Sequence, residues 1–360
     1  MSAGTNYRHM RVALLGPYPP PYGGVQVNVL SIREFLRARG IPCIVINLTR
    51  HRRLDADGVY YPRSAAGVLR LLARLRPEII HLHIGGMVTP RLLTLCLCCC
   101  SLPGSRAVLT FHSGGYPSSP EGRRARRLSV RGAVFRWFDR VIAVNPEIAQ
   151  LMARYGLPSS KVRLIPPWSP PPDVADTRLG PGLEGFFAGH SPVLLTVGLL
   201  EPEYDLALQV EVLGEIRKRH PDAGLVIAGS GSLEAELRRV ILSRPYAEHV
   251  LLCGDLPRPA VLAAIVRCDA VLRTSLYDGD SLAVREALHF GTPVIASDNG
   301  MRPPGVILVP ARAERELLAA IEACLREGRP HSGGTTGPRD EDNLQAVLEL
   351  YRELTGGGSR

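Results

Sequence analysis

The chain has 360 residues, of which 45% are hydrophobic and 21% charged, and its formal net charge is +9. This length exceeds one ordinary hydrophobic core, so two domains are expected, and the composition excludes a disordered or fibrous protein. The positive charge favours anionic partners such as nucleotides or phospholipid surfaces. The sequence lacks zinc-finger spacing, an RNP-like aromatic pattern and heptads, so we expect no nucleic-acid partner.

Two features of the sequence bear on its location. Residues 1–11 lack the apolar segment of a signal peptide. The longest apolar stretch, near residues 92–102, is too short to span a bilayer. We therefore expect a cytoplasmic protein.

Four of the eight cysteines fall within residues 96–100. A metal site requires spaced ligand pairs, and neither a further C-x-x-C pair nor a His pair accompanies this run. The run is therefore predicted to be a buried helix in which Cys serves as a small apolar residue. No metal is expected.

The first half alternates short apolar runs with amphipathic stretches. A strand at residues 11–16 is followed by a Pro- and Gly-rich loop and by a helix that ends at Gly40. Further strands are predicted at residues 41–48, 78–84, 107–111, 140–144 and 162–165. The intervening helices are predicted at residues 67–76, over the Cys-rich run, over an Arg-rich segment and at residues 146–155.

Residues 167–189 break this pattern because they are rich in Pro and Gly, which predicts an interdomain linker. The alternation then resumes. Strands are predicted at residues 193–197, 225–228, 250–253, 270–272, 293–296 and 306–309. Helices are predicted at residues 206–220, 233–242, 260–266, 282–290 and 314–325.

Strands that alternate with helices indicate an α/β fold with doubly wound parallel sheets. We predict two Rossmann-like domains, at residues 1–166 and 190–328, that face a central cleft. A last helix at residues 340–355 carries one apolar stripe and has no local sheet to cover. It is predicted to pack back on the first domain.

The most specific motif lies in residues 277–297, YDGDSLAVREALHFGTPVIAS. An acidic residue, Asp278, is followed after seven residues by Glu286, then by Ala and a Gly-x-Pro-Val strand. This block resembles the retaining family 4 glycosyltransferases of GT-B fold, and the resemblance covers nearly the whole chain. It implies transfer of a hexosyl-type unit (EC 2.4) from a nucleotide diphosphate sugar to a hydroxyl acceptor, without a metal or other cofactor.

The physical chemistry of this block agrees with that resemblance. A helix that begins at Leu282 leaves the amides near Ser281, Leu282 and Ala283 unpaired, and a helix N-terminus favours a phosphate. Glu286 lies one turn later on the same face and leans toward those amides. The resemblance implies that Glu286 binds the ribose hydroxyls of the donor. Asp278, nearer the sugar, is predicted either to hydrogen-bond sugar hydroxyls or to stabilise an oxocarbenium-like transition state.

Other landmarks of the family occur in both halves. The first half contains Gly23 and Gly24 before a helix and His112 after an apolar strand, and the resemblance implies that His112 contacts the transferred sugar. Glycine permits close backbone approach to a ligand. The donor-binding glycines of the second half are predicted to be Gly198, Gly229, Gly231 and Gly254.

The match to the family fails at the cations that usually bind the donor diphosphate. Leu199 stands in place of the expected Arg, and Tyr204 in place of the expected Lys. Arg273, Arg285 and Arg302 flank the motif and are candidates to replace them; Arg273 is our predicted donor-binding cation. These departures support an alternative: a catalytically silent GT-B protein that binds a nucleotide or partner in a polysaccharide-assembly complex.

A further alternative treats Asp278 and Asp280 as a metal-binding D-x-D of the single-domain transferase fold. The doubled sheet pattern favours GT-B over that fold. The acceptor is expected in polysaccharide, envelope glycan or glycolipid synthesis.

An Arg-rich segment in the first half suggests a membrane partner. Residues 123–140 contain seven arginines and one acid, Asp139. Arg124, Arg127 and Arg131 fall at helical spacing, which is typical of a helix lying on an anionic membrane. A basic, solvent-exposed face of an ordinary domain helix is the competing interpretation. If the helix lies on a membrane, we expect a lipid-linked acceptor and peripheral attachment of the protein to the inner face of the membrane.

Overall fold

The computed structural model describes residues 10–19, 23–49, 57–168, 171, 177–276, 281–328 and 341–356. The chain divides into two compact units, the first made of Met1–Ser169 with Arg339–Arg360 and the second of Pro170–Pro338. Each unit is an α/β layer structure built on a parallel sheet. The predicted α/β class with two parallel sheets is confirmed.

The first unit contains a seven-stranded sheet in the order β3-β2-β1-β4-β5-β6-β7. Its strands are β1 Val12–Gly16, β2 Cys43–Asn47, β3 Val59–Tyr60, β4 Ile79–Ile84, β5 Arg106–Phe111, β6 Arg140–Ala143 and β7 Val162–Leu164. All its strand pairs are parallel. The central strands β1 and β4 are buried along their whole length, which explains their continuous apolar runs.

The second unit contains a six-stranded sheet in the order β10-β9-β8-β11-β12-β13. Its strands are β8 Val193–Val197, β9 Gly224–Ala228, β10 Val250–Gly254, β11 Ala270–Arg273, β12 Val294–Ser297 and β13 Ile307–Val309. All its strand pairs are parallel as well. In both sheets the strand order reverses beside the first strand, and ligands of such sheets bind at the carboxyl ends of the strands there.

Helices cover both faces of each sheet. Those of the first unit are α1 Gly24–Ala38, α2 Ala65–Leu75, α3 Pro90–Cys100, α4 Pro120–Arg123, α5 Val130–Phe135 and α6 Pro146–Arg154. Those of the second unit are α7 Pro181–Gly189, α8 Leu206–Ile216, α9 Glu234–Leu242, α10 Arg258–Arg267, α11 Leu282–His289 and α12 Glu314–Glu327. Side chains of Ser64, Thr89 and Asn145 cap α2, α3 and α6, so each of these helices begins where a cap is available.

The last helix, α13 Glu341–Gly356, belongs to the first unit. Its buried residues Val347, Leu348 and Tyr351 join the apolar cluster that also holds Val12 and Leu14 of β1. In α3, Cys96 and Cys99 are fully buried against the opposite face of the sheet. The Cys-rich run is therefore a core helix, as predicted.

The predicted linker at residues 167–189 is wrong at its end, because α7 occupies Pro181–Gly189. Leu183 and Phe186 of this helix are buried in the core of the second unit. The Gly and Pro residues that suggested a linker here form the start of a helix, with Gly180 at the N-cap and Pro181 in the first turn.

The single Arg-rich helix predicted within residues 123–140 is also wrong. The segment forms two short helices, α4 and α5, with a non-helical stretch between them. Ser129 caps α5 through the amide of Gly132, and Arg136 donates to the carbonyl oxygens of Arg127 and Tyr155. These bonds favour a new helix start over a continuous helix.

Candidate functional site

The glycines predicted to bind a donor meet at the carboxyl ends of β8, β9 and β10. Gly229 has a φ of +140°, and a Cβ atom there would lie 1.8 Å from the carbonyl oxygen of Gly198. The amide of Gly229 donates to the carbonyl of Gly254 at 2.8 Å. A Cβ on Gly231 would lie 2.4 Å from the carbonyl oxygen of Leu200. The glycines thus allow adjacent loops to approach as closely as backbone atoms permit.

Arg273 lies at the end of β11 and is 6% exposed. It donates to the carbonyl oxygen of Val197 at 2.8 Å, and its guanidinium carbon lies 4.6 Å from the ring centroid of Tyr204. A Cβ on Gly198 would lie 2.7 Å from Nη1 of Arg273 and from the Tyr204 ring. Tyr204, which replaces the expected Lys, therefore fixes a different cation at the same edge of the sheet. The other replacement, Leu199, is 53% exposed.

The N-terminus of α11 follows β11 at the carboxyl edge of the second sheet. Ser281 is the N-cap residue, is 7% exposed, and makes no capping hydrogen bond with its side chain. The first residues of the helix are Leu282 and Ala283. Within the described residues, the N-cap side chain thus leaves the first amides of the helix unbonded, and a helix N-terminus favours an anion.

Glu286 lies in the second turn of α11 and is only 3% exposed. Its Oε1 lies 2.7 Å from Nη1 of Arg258, the first residue of α10. Burial raises the pKa of Glu286 to about 7, and the positive charge of Arg258 offsets part of that rise. Glu286 is therefore poised near neutral pH between a carboxylic acid and a carboxylate.

A third guanidinium group, that of Arg302, lies in the loop after β12. It donates to the carbonyl oxygen of Ser297 at 3.0 Å and to Oγ of Ser275 at 2.9 Å. Ser275 follows β11, so Arg302 joins the loops that end two neighbouring strands. Arg285, the other candidate cation, is half-buried on α11.

The first unit contains a row of histidines at the carboxyl edge of its own sheet. His81 and His83 lie on one face of β4, and His112 follows β5. His83 Nδ1 lies 3.1 Å from His112 Nε2, and the two rings stack with centroids 5.4 Å apart. Burial lowers the pKa of His112 to about 3, so the ring is neutral at physiological pH.

Gly23 and Gly24 stand at the start of α1, Gly23 as its N-cap and Gly24 as its first residue. A Cβ on Gly24 would meet no atom of the described residues within 4 Å. A Cβ on Gly23 would approach only the flexible side chain of Gln26, at 2.7 Å. Both glycines thus lie at the N-terminus of a helix, where backbone amides favour an anion.

The structure therefore places the predicted residues in two sets, one in each unit. The second unit brings together Gly198, Gly229, Gly231, Gly254, Arg273 and the start of α11 with Glu286. Gly23, Gly24 and His112 belong to the first unit. Asp278, the predicted catalytic acid, lies outside the described residues, as does Asp280.

Two further residues of these sets were missed by the sequence prediction. Arg258 follows β10, at the same edge as the motif, and that position in a βα unit is the available signal for it. His83 lies two residues after His81 in β4, and this spacing places both rings on one face of the sheet. Neither residue is part of the motif that carries the family resemblance.

The sequence matches two known families. Residues 185–311 match the family described as Glycosyl transferases group 1, and residues 22–168 match the family described as Glycosyltransferase Family 4. A group 1 glycosyltransferase domain is therefore present in the second unit, and a family 4 domain in the first.

Individual relatives agree with this. The chain is 26% identical to an alpha-D-kanosaminyltransferase of Streptomyces kanamyceticus, over 81% of this chain and 80% of that protein. It is 26% identical to a phosphatidyl-myo-inositol mannosyltransferase of Mycobacterium leprae, over 98% of this chain and 99% of that protein. The crystal structure of Anabaena HepE in complex with UDP-glucose superposes with a TM-score of 0.66 at 15% identity, over 96% of this chain and 98% of that chain.

The class of protein follows from these matches together with the two parallel sheets. The chain has the GT-B fold and carries glycosyltransferase domains in both units. Its relatives are glycosyltransferases that include a mannosyltransferase and a kanosaminyltransferase.

Proposed function

We propose that this protein transfers a glycosyl unit from a nucleotide diphosphate sugar to a hydroxyl acceptor, with retention of configuration. The observation that supports this most directly is the pairing of an uncapped helix N-terminus with a buried acid one turn later. The amides at the start of α11 suit a diphosphate, and Glu286 suits a pair of ribose hydroxyls. The glycosyltransferase domain over residues 185–311 contains both features.

Within this proposal each predicted residue has one task. Ser281, Leu282 and Ala283 offer amides to the leaving diphosphate, whose negative charge grows as the glycosidic bond breaks. Asp278 acts on the sugar, where positive charge develops at the same time. His112 hydrogen-bonds the transferred sugar. Helix amides and guanidinium groups provide the charge stabilisation, so the proposed reaction requires no divalent metal or cofactor.

The second candidate function is a silent GT-B protein that binds a nucleotide without transferring its sugar. The observation in its favour is the loss of both expected diphosphate cations, at Leu199 and Tyr204. Arg273 weighs against it, because Tyr204 holds that guanidinium beside Gly198, at the edge that the missing cations would occupy. We therefore favour the enzyme.

The acceptor is proposed to be lipid-linked, in envelope glycan, glycolipid or exopolysaccharide synthesis. One relative over nearly the whole chain is a phosphatidyl-myo-inositol mannosyltransferase. Within the described residues, no helix is long and apolar enough to cross a bilayer. A lipid-linked acceptor calls for a protein surface that contacts the membrane.

The segment of residues 123–137, which contains α5, has the composition of such a surface. Leu128 is 94% exposed, Val130 72% and Trp137 61%. Four arginines beside them are also exposed: Arg123, Arg124, Arg126 and Arg127. Exposed apolar side chains among arginines suit an anionic interface, where Trp lies at headgroup depth and Arg meets lipid phosphate. We propose that this segment holds the protein peripherally on the inner face of an anionic membrane.

A donor screen followed by two substitutions tests the proposed reaction. A panel of nucleotide sugars is examined by thermal shift, because a true donor stabilises the fold by mass action. Glu286→Ala should then weaken nucleotide binding by on the order of 3 kcal/mol, the loss of two hydrogen bonds to a charged acceptor. Asp278→Asn should spare nucleotide affinity and lower kcat.

The same experiment separates the two candidate functions. Turnover of a bound donor with a hydroxyl acceptor establishes the enzyme. Donor binding without turnover in the presence of lipid-linked and soluble acceptors establishes the silent protein. If the folded Glu286→Ala and Asp278→Asn variants bind and react like the wild type, the site has been misplaced.

A further inference from the structure

Three histidines of the first unit form a chain of contacts that the sequence motif does not include. His81 is bonded at both ring nitrogens, Nε2 to Thr110 Oγ1 at 2.6 Å and Nδ1 to the Tyr351 hydroxyl at 2.5 Å. The His81 and His83 rings contact each other with centroids 4.1 Å apart and their planes tilted by 36°. His83 in turn contacts His112 through its Nδ1. The chain thus leads from α13, across β4, to the residue after β5.

His83 is held firmly in this arrangement. A Cβ on Gly16 of β1 would lie 3.0 Å from the Cβ of His83, so the neighbouring strand packs directly against the side chain. The amide of His112 donates to the carbonyl of Ile84 at 2.7 Å, which fixes the backbone that follows β5. The two rings therefore have little freedom to change their contact.

The hydrogen bond between His83 Nδ1 and His112 Nε2 requires that one of these two nitrogens carries a hydrogen and that the other is bare. Burial lowers the pKa of His83 well below its usual value, and the nearby rings of His81 and His112 lower it further, because a second protonated ring there would be repelled. Both rings are neutral, so each has one N–H and one bare nitrogen. Either His83 donates through Nδ1–H, or His112 donates through Nε2–H.

The remaining nitrogen of His83 decides between these arrangements. His83 is 3% exposed, and its Nε2 is a buried atom that has no hydrogen-bond partner among the residues that the structure describes. If His112 donated, His83 would hold its own proton on Nε2, as a buried N–H without an acceptor. If His83 donates, Nε2 is only a bare acceptor. Buried donors without a partner are the rarer and costlier of the two.

We propose that His83 donates from Nδ1 to His112 Nε2 and thereby fixes His112 as the tautomer with its proton on Nδ1. His83 is a positioning residue in this scheme, since it acts through His112. His112 is the partly exposed member of the pair. It then offers an N–H donor, not a bare nitrogen, to a ligand at the carboxyl edge of the first sheet. A donor there suits a sugar hydroxyl oxygen and cannot serve as a general base.

The role in catalysis rests on the proposed function, but the tautomer does not. The tautomer is measured by long-range proton–nitrogen NMR on the full chain labelled with nitrogen-15 at histidine, at neutral pH. Protonated and bare ring nitrogens have well-separated shifts, and the signals that disappear in His112→Gln belong to His112. We expect a protonated Nδ1 and a bare Nε2. A bare Nδ1 on His112 would overturn the proposal.

Substitution at His83 tests the cause. His83→Phe keeps a ring but has no donor, so His112 should shift toward the Nε2–H form, which the free histidine side chain prefers in water. His83→Asn places an amide N–H where Nδ1 was and should retain the wild-type tautomer. Tyr351→Phe, which removes a partner of His81 only, should leave His112 unchanged. An unaltered His112 tautomer in a folded His83→Phe variant would show that His83 has no such role.

Turnover gives a separate result once a donor is known. His83→Phe should lower kcat about tenfold, the equivalent of one misaligned hydrogen bond, while the affinity for the nucleotide product is unchanged. His83→Asn should recover most of that loss. If the wild type turns over no donor, the proposed function fails, and the NMR measurement still decides the tautomer.

Discussion

Arg258 and Glu286 form an ion pair between the first residue of α10 and the second turn of α11, with Nη1 and Oε1 2.7 Å apart. The pair joins two helices that both begin at the carboxyl edge of the second sheet. Burial favours the neutral carboxyl group of Glu286 and Arg258 favours the carboxylate, and burial is the larger effect. Glu286, which is proposed to accept hydrogen bonds from the ribose hydroxyls, therefore changes its protonation state near neutral pH.

Donor binding should depend on pH because of this balance. The pKa of Glu286 is raised to about 7, so the carboxyl is mostly neutral at pH 6 and mostly ionised at pH 8. An ionised carboxylate is the stronger acceptor for ribose hydroxyls. The affinity for a nucleotide sugar, measured by calorimetry, should rise several-fold over this range, in the direction set by the raised pKa.

Two variants serve as controls for that prediction. Glu286→Gln has no ionisable group, so its affinity should vary little with pH. Arg258→Leu removes the charge that offsets burial, so the rise in affinity should move to higher pH. A wild-type affinity as flat with pH as that of Glu286→Gln would contradict the proposed contact.

Folding stability should respond to pH in the opposite sense. Because the folded pKa of Glu286 lies above the usual 4.5, folding favours the protonated form. The stability from this group is complete below about pH 4.5 and is lost as the pH rises through 7. Between these limits the wild type should lose on the order of 3 kcal/mol relative to Glu286→Gln, as measured by urea unfolding at each pH. Parallel pH profiles for the two proteins would refute the raised pKa.

The glycine contacts at the ends of β8 and β9 should be needed for folding itself. Gly229→Ala would force a Cβ to within 1.8 Å of the Gly198 carbonyl oxygen at a φ of +140°. The variant should lose at least about 3 kcal/mol of unfolding free energy through clash and backbone strain. Gly185→Ala on α7, where a Cβ meets nothing within 4 Å, is the matched control and should gain about 0.5–1 kcal/mol. Equal stability of the two variants would contradict the close approach of these loops.

The sequence predicted those parts of the fold that repeat a local pattern. The strand predicted at residues 193–197 is observed with the same bounds, since its run is apolar except for Thr196. The helix predicted at residues 340–355 is observed at Glu341–Gly356, because its apolar stripe has helical period. The sequence does not predict α7, because Gly180, Pro181 and Gly182 have the composition of a linker. Only the burial of Phe186 in the folded unit distinguishes this segment from one.

The candidate site was predicted as far as its motif extends. Ser281 and Glu286 belong to one continuous helix, so their relation follows from helical geometry. The ion pair of Arg258 with Glu286 joins residues from two separate βα units, and only the packing of α10 against α11 brings them together. The stack of Arg273 on Tyr204 likewise depends on the tertiary structure.

Turnover should not require a divalent metal. Arg258, Arg273 and Arg302 lie at the carboxyl edge of the second sheet, where α11 also presents its amides. Fixed dipoles and guanidinium groups can stabilise a leaving diphosphate without a metal ion. Activity measured in excess EDTA should therefore equal that of the untreated protein. Loss of activity with EDTA, restored by manganese, would instead favour the D-x-D interpretation of Asp278 and Asp280.

Attachment to a membrane should depend on both charge and apolar contact. The exposed arginines near Leu128 predict binding to anionic vesicles at about 1 kcal/mol for each engaged Arg, with a steep fall as salt is added. Replacing both Leu128 and Trp137 by Ser should weaken co-sedimentation further, since these side chains are 94% and 61% exposed and would lose their contact with lipid. Leu242→Ser is the matched control, because Leu242 is 71% exposed in the other unit. Binding that ignores salt and lipid charge, or a double variant that binds like Leu242→Ser, would rule out this segment as the membrane contact.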